Sequence, residues 1–251
     1  MRKLVIITCS VVLATLLLHS CKKAGGSDTH AQSVSYKGAT YDVFKAAYPK
    51  DRIQLYWKDD EGSKIKSLAN LKHFVEKKGK KLVFATNGGM YMENNSPLGL
   101  YIENNKERNH INLLLNGKGN FYLQPNGVFF LTDSVAKVVS TDKFNLFRDK
   151  PVFATQSGPM LVVDGTINKM LSPGSSNTNI RSGVGVDKKG KTVFAISNSG
   201  VNFYDFASLF KDEPHCDNAL FLDGAISEMY LPALNRNDEG GNFGVMIGVA
   251  E

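Results

Sequence analysis

Short apolar runs, each closed by glycine, proline, asparagine or aspartate, recur along most of the chain and leave few folds open to it. Residues 121–133, FYLQPNGVFFLTD, set Pro125-Asn126-Gly127 between two apolar segments, which predicts a hairpin. Residues 183–197, GVGVDKKGKTVFAIS, repeat the design with Lys188-Lys189-Gly190 as the turn. Further strands are expected at 51–57, 82–86, 99–103, 111–115, 135–139, 153–155, 160–163, 219–222 and 243–249. Helical spacing is confined to residues 63–78, where Ile65, Leu68, Leu71, Phe74 and Val75 recur before Gly79, and to residues 203–210. The expected class is therefore α+β: a single domain with a large, mostly antiparallel mixed sheet flanked by a few helices.

The first residues read differently. Arg2 and Lys3 precede a largely apolar run over residues 4–18, shorter than the roughly 20 residues of a spanning helix, which is the pattern of a signal peptide. The run ends in LLHSCKK, similar to the lipobox of bacterial lipoproteins, with His19 where a small residue is usual. The expected division is a signal peptide over 1–20, a small polar linker over 21–33 carrying lipid on Cys21, and a folded domain over 34–251. This places the protein in the bacterial cell envelope, periplasmic or at the cell surface; plain secretion after cleavage is the alternative.

Losing residues 1–20 removes two bases and no acid, leaving 28 basic and 24 acidic residues, a net charge of +4. That excess suits an anionic substrate, and no basic stripe with interleaved aromatics argues for nucleic acid. Cys216 would be the one thiol left after Cys9 departs and Cys21 is lipidated, so neither a disulfide framework nor a thiolate metal site is expected. His73, His110 and His215 are scattered singles, and no nucleophile elbow, phosphate loop or His-x-x-x-His pair occurs. No cofactor is expected, with calcium held by Asp and backbone oxygens left open.

Four stretches end an apolar strand in small or polar residues: VFATNGGMY (83–91), FATQSGPMLVVDG (153–165), NIRSGVGVD (179–187) and LFLDGAISEMY (220–230). Asn87-Gly88-Gly89 reads either as a tight turn or as a nest of amides around a phosphate or sugar hydroxyl. Arg181 follows the hydroxyl- and amide-rich PGSSNTNI and is either a two-pronged phosphate ligand or part of a structural ion pair. Asp223 and Glu228 form the carboxylate pair that glycosyl transfer wants, although Glu228 equally fits a solvated face.

In this order the four stretches resemble the phosphodiester glycosidase family. Asn87-Gly88-Gly89 with Tyr91, Ser157-Gly158-Pro159-Met160-Leu161 leading to Asp164-Gly165, Arg181 before the strand to Asp187, and Leu222-Asp223-Gly224 with Ser227 carry the resemblance over about residues 80–250. Ala225-Ile226 stands where many members have a glycine run, as in a bacterial branch often associated with exopolysaccharide. The resemblance implies hydrolysis of the sugar-phosphate bond of a sugar-1-phosphodiester or phosphorylated glycan. It implies Arg181 and the Asn87-Gly88-Gly89 loop on phosphate, Asp223 as the acid/base or nucleophilic carboxylate near the anomeric carbon, Ser157, Ser227 and Glu228 orienting water or hydroxyls, and Gly158 and Gly224 at the substrate. Two rivals remain: a non-catalytic envelope lipoprotein that binds glycans or phosphate-bearing polymers, and a glycosidase acting on phosphate-free glycans.

Overall fold

A computed structural model describes residues 30–147, 150–222 and 226–251. Residues 1–29, with the expected signal peptide, most of the linker and Cys21, lie outside them, as do Asp223, Gly224 and Ala225. The first strand begins at Ala31, and His30 O already accepts Lys45 N–H, so regular structure starts three residues earlier than expected. No described helix is long and apolar enough to cross a membrane.

Instead of one large mixed sheet there are three, and every strand pairing in them is antiparallel. In spatial order the seven-stranded sheet runs Ala31–Tyr36, Ala39–Ala46, Thr192–Ser197, Ser182–Val186, Asn218–Phe221, Met160–Val163, Thr166–Ile167. A five-stranded sheet runs Arg236–Asn237, Met229–Leu231, Leu82–Asn87, Met246–Ala250, Ile53–Tyr56. The other five-stranded sheet runs Lys106–Asn109, Tyr101–Glu103, Phe153–Ser157, Gly127–Leu131, Ala136–Ser140. Local hairpin signals identify which neighbours pair, but assignment to a sheet depends on long-range register, which they do not carry.

The three sheets share one core. From the seven-stranded sheet Phe44 stacks on Phe84 with ring centroids 4.3 Å apart and Phe194 packs tilted against it at 4.8 Å, and Phe129 of the third sheet meets Phe194 edge-on at 5.9 Å. All four rings are buried, at roughly 1.5–3 kcal/mol each for such a side chain. Helix Phe203–Asp212 covers the outer face of the seven-stranded sheet with Phe206, Leu209 and Phe210. Helix Leu68–Lys77 covers the first five-stranded sheet with Leu68, Leu71 and Val75. It is shorter than the periodicity over 63–78, because Lys66 takes φ 68° and the Ser67 side chain then caps the helix by accepting Asn70 N–H.

Two expectations change. The hairpin at Pro125-Asn126-Gly127 is not formed: residues Asn120–Tyr122 make a 3-10 turn that buries Phe121, and Gly127–Leu131 turns back later to pair with Ala136–Ser140. The run over 111–115 is no strand; Leu113, Leu114 and Leu115 are exposed by 60, 66 and 66 %. Its place at the sheet edge is taken by Lys106–Asn109, which turns back from Tyr101–Glu103 through Asn104 and Asn105, both at positive φ. A charged edge strand lacks apolar alternation and so gives no strand signal.

Candidate functional site

Asn87 ends the strand Leu82–Asn87, between Met229–Leu231 and Met246–Ala250, and is wholly buried. Its side-chain oxygen faces the Glu228 backbone N–H at 3.3 Å and the Ser182 hydroxyl at 3.0 Å. A main-chain N–H can only donate, so the atom facing it is Oδ1, and the amide orientation is fixed with Nδ2 on the far side. Nδ2 is buried and has no hydrogen-bond partner among the described residues. Ser182 Oγ is also 3.3 Å from Ser227 Oγ, and Thr86 Oγ1 donates to Glu228 O at 2.9 Å, so two sheets are stitched together around Asn87.

Glu228 precedes Met229–Leu231 on this junction. Its Oε2 is buried without a partner among the described residues, and Oε1 lies so close to Gly240 that a Cβ there would sit 2.7 Å away. Burial raises the carboxyl above the ordinary range, the nearby Asp238 charge raises it further, and Arg236 opposes both. Asp238 Oδ2 accepts Met229 N–H at 3.0 Å and Arg236 Nε at 2.9 Å, while Arg236 Nη1 reaches Asp42 at 3.1 Å and Asn198 at 2.6 Å.

Gly88 and Gly89 have packing duties. Gly88 N–H donates to Val245 O at 2.8 Å, so that amide is not offered to a ligand. A Cβ on Gly88 would sit 2.9 Å from Val245 Cγ1, and one on Gly89 would sit 2.3 Å from Thr155 Oγ1. Ser157 ends the strand against which Gly89 packs, and its Oγ is a third buried polar atom without a partner. Gly158 fits against Phe121 O and Asn126, where a Cβ would be 2.6 and 2.8 Å away.

Arg181 is buried in a cradle of its own. Nε donates to Val201 O at 2.8 Å, Nη2 to Asn177 O at 2.9 Å, and the guanidinium lies 3.6 Å over the Phe203 ring. Burial lowers its pKa to about 10. The side-on fork of Nε and Nη2 that phosphate would want is therefore engaged by main-chain carbonyls, which fits a structural role.

The structure thus brings Asn87, Ser227 and Glu228 together and adds Ser182, Thr86, Asp238 and Arg236, which the sequence reading did not single out. Ser182 lay inside a quoted stretch, and the polar, glycine-bearing NRNDEGGNFG segment over 235–244 was the available signal for the last two. Asp223 and Gly224 lie outside the described residues; the preceding Leu222 donates its N–H to Ser182 O at 3.0 Å. Among the described residues no group of three or more His, Cys, Asp or Glu is placed to hold a metal. A cavity of about 790 Å³ lies elsewhere, between Leu113–Leu115 and Val163–Met170, and its buried amides Asn126 and Asn168 already donate to main-chain carbonyls.

The phosphodiester glycosidase family model matches residues 80–250, taking in all four strand ends. The chain belongs to this family. Among curated proteins this chain is 39 % identical over 181 residues to the uncharacterized protein YigE of Escherichia coli, covering 72 % of this chain and 70 % of that one. Its fold is shared with the catalytic domain of zebrafish N-acetylglucosamine-1-phosphodiester alpha-N-acetylglucosaminidase, solved auto-inhibited by its pro-peptide. The TM-score is 0.60 at 16 % identity, over 88 % of this chain and 81 % of that one. A hypothetical protein from Synechocystis superposes with a TM-score of 0.58 at 14 % identity, over 88 % of this chain and 61 % of that one.

Proposed function

We propose that this phosphodiester glycosidase hydrolyses the bond between the anomeric carbon of a sugar and a phosphodiester oxygen. Water supplies a hydroxyl to the sugar and a proton to the departing oxygen, so the products are the free sugar and a phosphomonoester. Family membership supports the reaction class. The observation that carries the site is the pair of buried atoms left unsatisfied on neighbouring residues, the Asn87 Nδ2 donor and the Glu228 Oε2. Buried polar atoms are nearly always paired; Tyr41 OH and Thr192 Oγ1 are also unpaired among the described residues, but Asn87 and Glu228 are joined by a hydrogen bond at a junction of strand ends that the family model covers.

In this reading Asn87 Nδ2 donates to a phosphate or sugar oxygen, and the fixed amide needs no reorganisation as charge develops. Glu228, held toward its protonated form, is a proton source for the departing phosphate oxygen. Asp223 serves as the ionised carboxylate at the anomeric carbon, supported by its sequence motif and by its place after Leu222. The test is release of sugar and phosphomonoester from a panel of α- and β-linked sugar-1-phosphodiesters. Turnover is expected on at least one member and should vanish in Asp223→Asn; no turnover on any member, or full activity in that variant, would sink the proposal.

We also propose that lipid on Cys21 holds the domain at the bacterial envelope, on the strength of the leader and LLHSCKK alone. Cys21→Ala should move the protein from the membrane fraction to the soluble one, and unchanged membrane retention would contradict this.

A further inference from the structure

The loop behind Glu228 carries a charge arrangement that the catalytic reading does not need in order to bind substrate. One guanidinium, Arg236, serves two carboxylates: Nε and Nη2 both reach Asp238 Oδ2 at 2.9 Å, and Nη1 reaches Asp42 Oδ2 at 3.1 Å. Ser33 Oγ donates to the other Asp42 oxygen at 2.7 Å. Three donors converge on Asp238 Oδ2, counting Met229 N–H at 3.0 Å. Two carboxylates against one guanidinium leave the trio with one net negative charge. Its inner member, Asp238, grips the amide of the residue directly after Glu228.

Among the described residues Glu228 meets no balancing cation on its remaining sides. The strand Leu82–Asn87 offers it Thr86 and Asn87, neither of which titrates, and the Gly240 backbone lies against Oε1. Among the described residues the charges acting on its carboxyl are those of Asp238 and Arg236. The side chains of Asp42, Arg236 and Asp238 are 11, 17 and 30 % exposed, so solvent screens Asp238 more than its two partners.

We propose that Asp238 is a positioning residue of the site: through Met229 N–H it fixes where the Glu228 carboxyl stands, and through the trio's uncompensated charge it favours the proton on that carboxyl. The strand Ala39–Ala46 takes part through Asp42, so the seven-stranded sheet, which also supplies Ser182, helps set the state of a group carried by the neighbouring sheet. The catalytic meaning rests on the function proposed above, but the electrostatic claim does not.

The experiment is a carboxyl-carbon NMR titration of the full chain labelled at glutamate, with the Glu228 resonance assigned by its loss in Glu228→Gln. Asp238→Asn keeps an acceptor oxygen for Met229 N–H and Arg236 while removing the charge. It should move the Glu228 midpoint down by at least about half a pH unit. Asp42→Asn removes the outer charge, leaves the Asp238 bonds intact and should move it down by less; it decides the matter if Asp238→Asn fails to fold. A midpoint unmoved in every folded variant overturns the proposal. The titration needs no turnover, so a shifted midpoint without hydrolysis of any sugar-1-phosphodiester would retain the trio's role and reject the function, and hydrolysis with an unmoved midpoint would do the reverse.

Discussion

Asn87 and Arg181 are both polar and both buried to within 1 % exposure; Asn87 ends the strand Leu82–Asn87 and Arg181 directly precedes Ser182–Val186 in the adjoining sheet. They differ in what their donors do. Arg181 has Nε and Nη2 on main-chain carbonyls and its flat face on Phe203, whereas Asn87 has its oxygen engaged and its nitrogen unpartnered. Burial of a polar side chain is therefore no mark of function by itself. A satisfied donor holds the fold together, and an oriented, unsatisfied one is held ready at a cost in stability.

The largest expected effect is on turnover at Asn87. Asn87→Asp keeps the accepting oxygen and removes the donor, and its kcat should fall by about 10²- to 10³-fold, as when one preorganised donor to a developing charge is lost. Wild-type kcat would dissolve the distinction between the two residues. Arg181→Ala should act on folding instead, with a loss on the order of 3 kcal/mol in denaturant unfolding, because it leaves a cavity and unpaired carbonyls.

The glycines next to Asn87 sharpen the same contrast. Gly89→Ala drives a Cβ toward Thr155 Oγ1 and Gln156 O, and should cost about 2 kcal/mol in a thermal or denaturant melt. Glu228→Gln should have a smaller effect and the opposite sign. The folded carboxyl titrates above its unfolded value, so the stability linked to its proton is full below the unfolded pKa and is lost as pH rises through the folded one. The variant should match the wild type in acid and melt at a higher temperature at neutral pH; a lower melting temperature at neutral pH would show that the carboxylate is satisfied after all. Smallest of all, Leu114→Ser should change stability by no more than about 0.5 kcal/mol, since that side chain is two-thirds exposed.

Much of this was legible in the sequence, for identifiable reasons. Strand and helix existence follows from apolar spacing, and the Ser182–Val186 and Thr192–Ser197 hairpin was readable because Asp187 and Gly190 supply its turn locally. Strand ends at Asn87 and Ser157 drew attention because glycine beside a polar residue is a local signal. The charged edge strand Lys106–Asn109 was invisible because an edge needs no apolar face. Arg236 reaching Asp42, 194 residues away in sequence, was invisible because nothing local specifies such a contact. Likewise the residue types of Asn87 and Arg181 gave no means of telling which would be satisfied, since each answer depends on carbonyls and hydroxyls contributed from another part of the chain.

The most direct test of the contrast measures turnover per folded molecule for Asn87→Asp and Arg181→Lys, side by side, on whichever sugar-1-phosphodiester the wild type hydrolyses. Loss of nearly all turnover in Asn87→Asp, with Arg181→Lys close to wild type once its lower stability is allowed for, is the predicted result. The reverse pattern, an active Asn87→Asp and an inactive but folded Arg181→Lys, would put the phosphate on Arg181 and contradict the account.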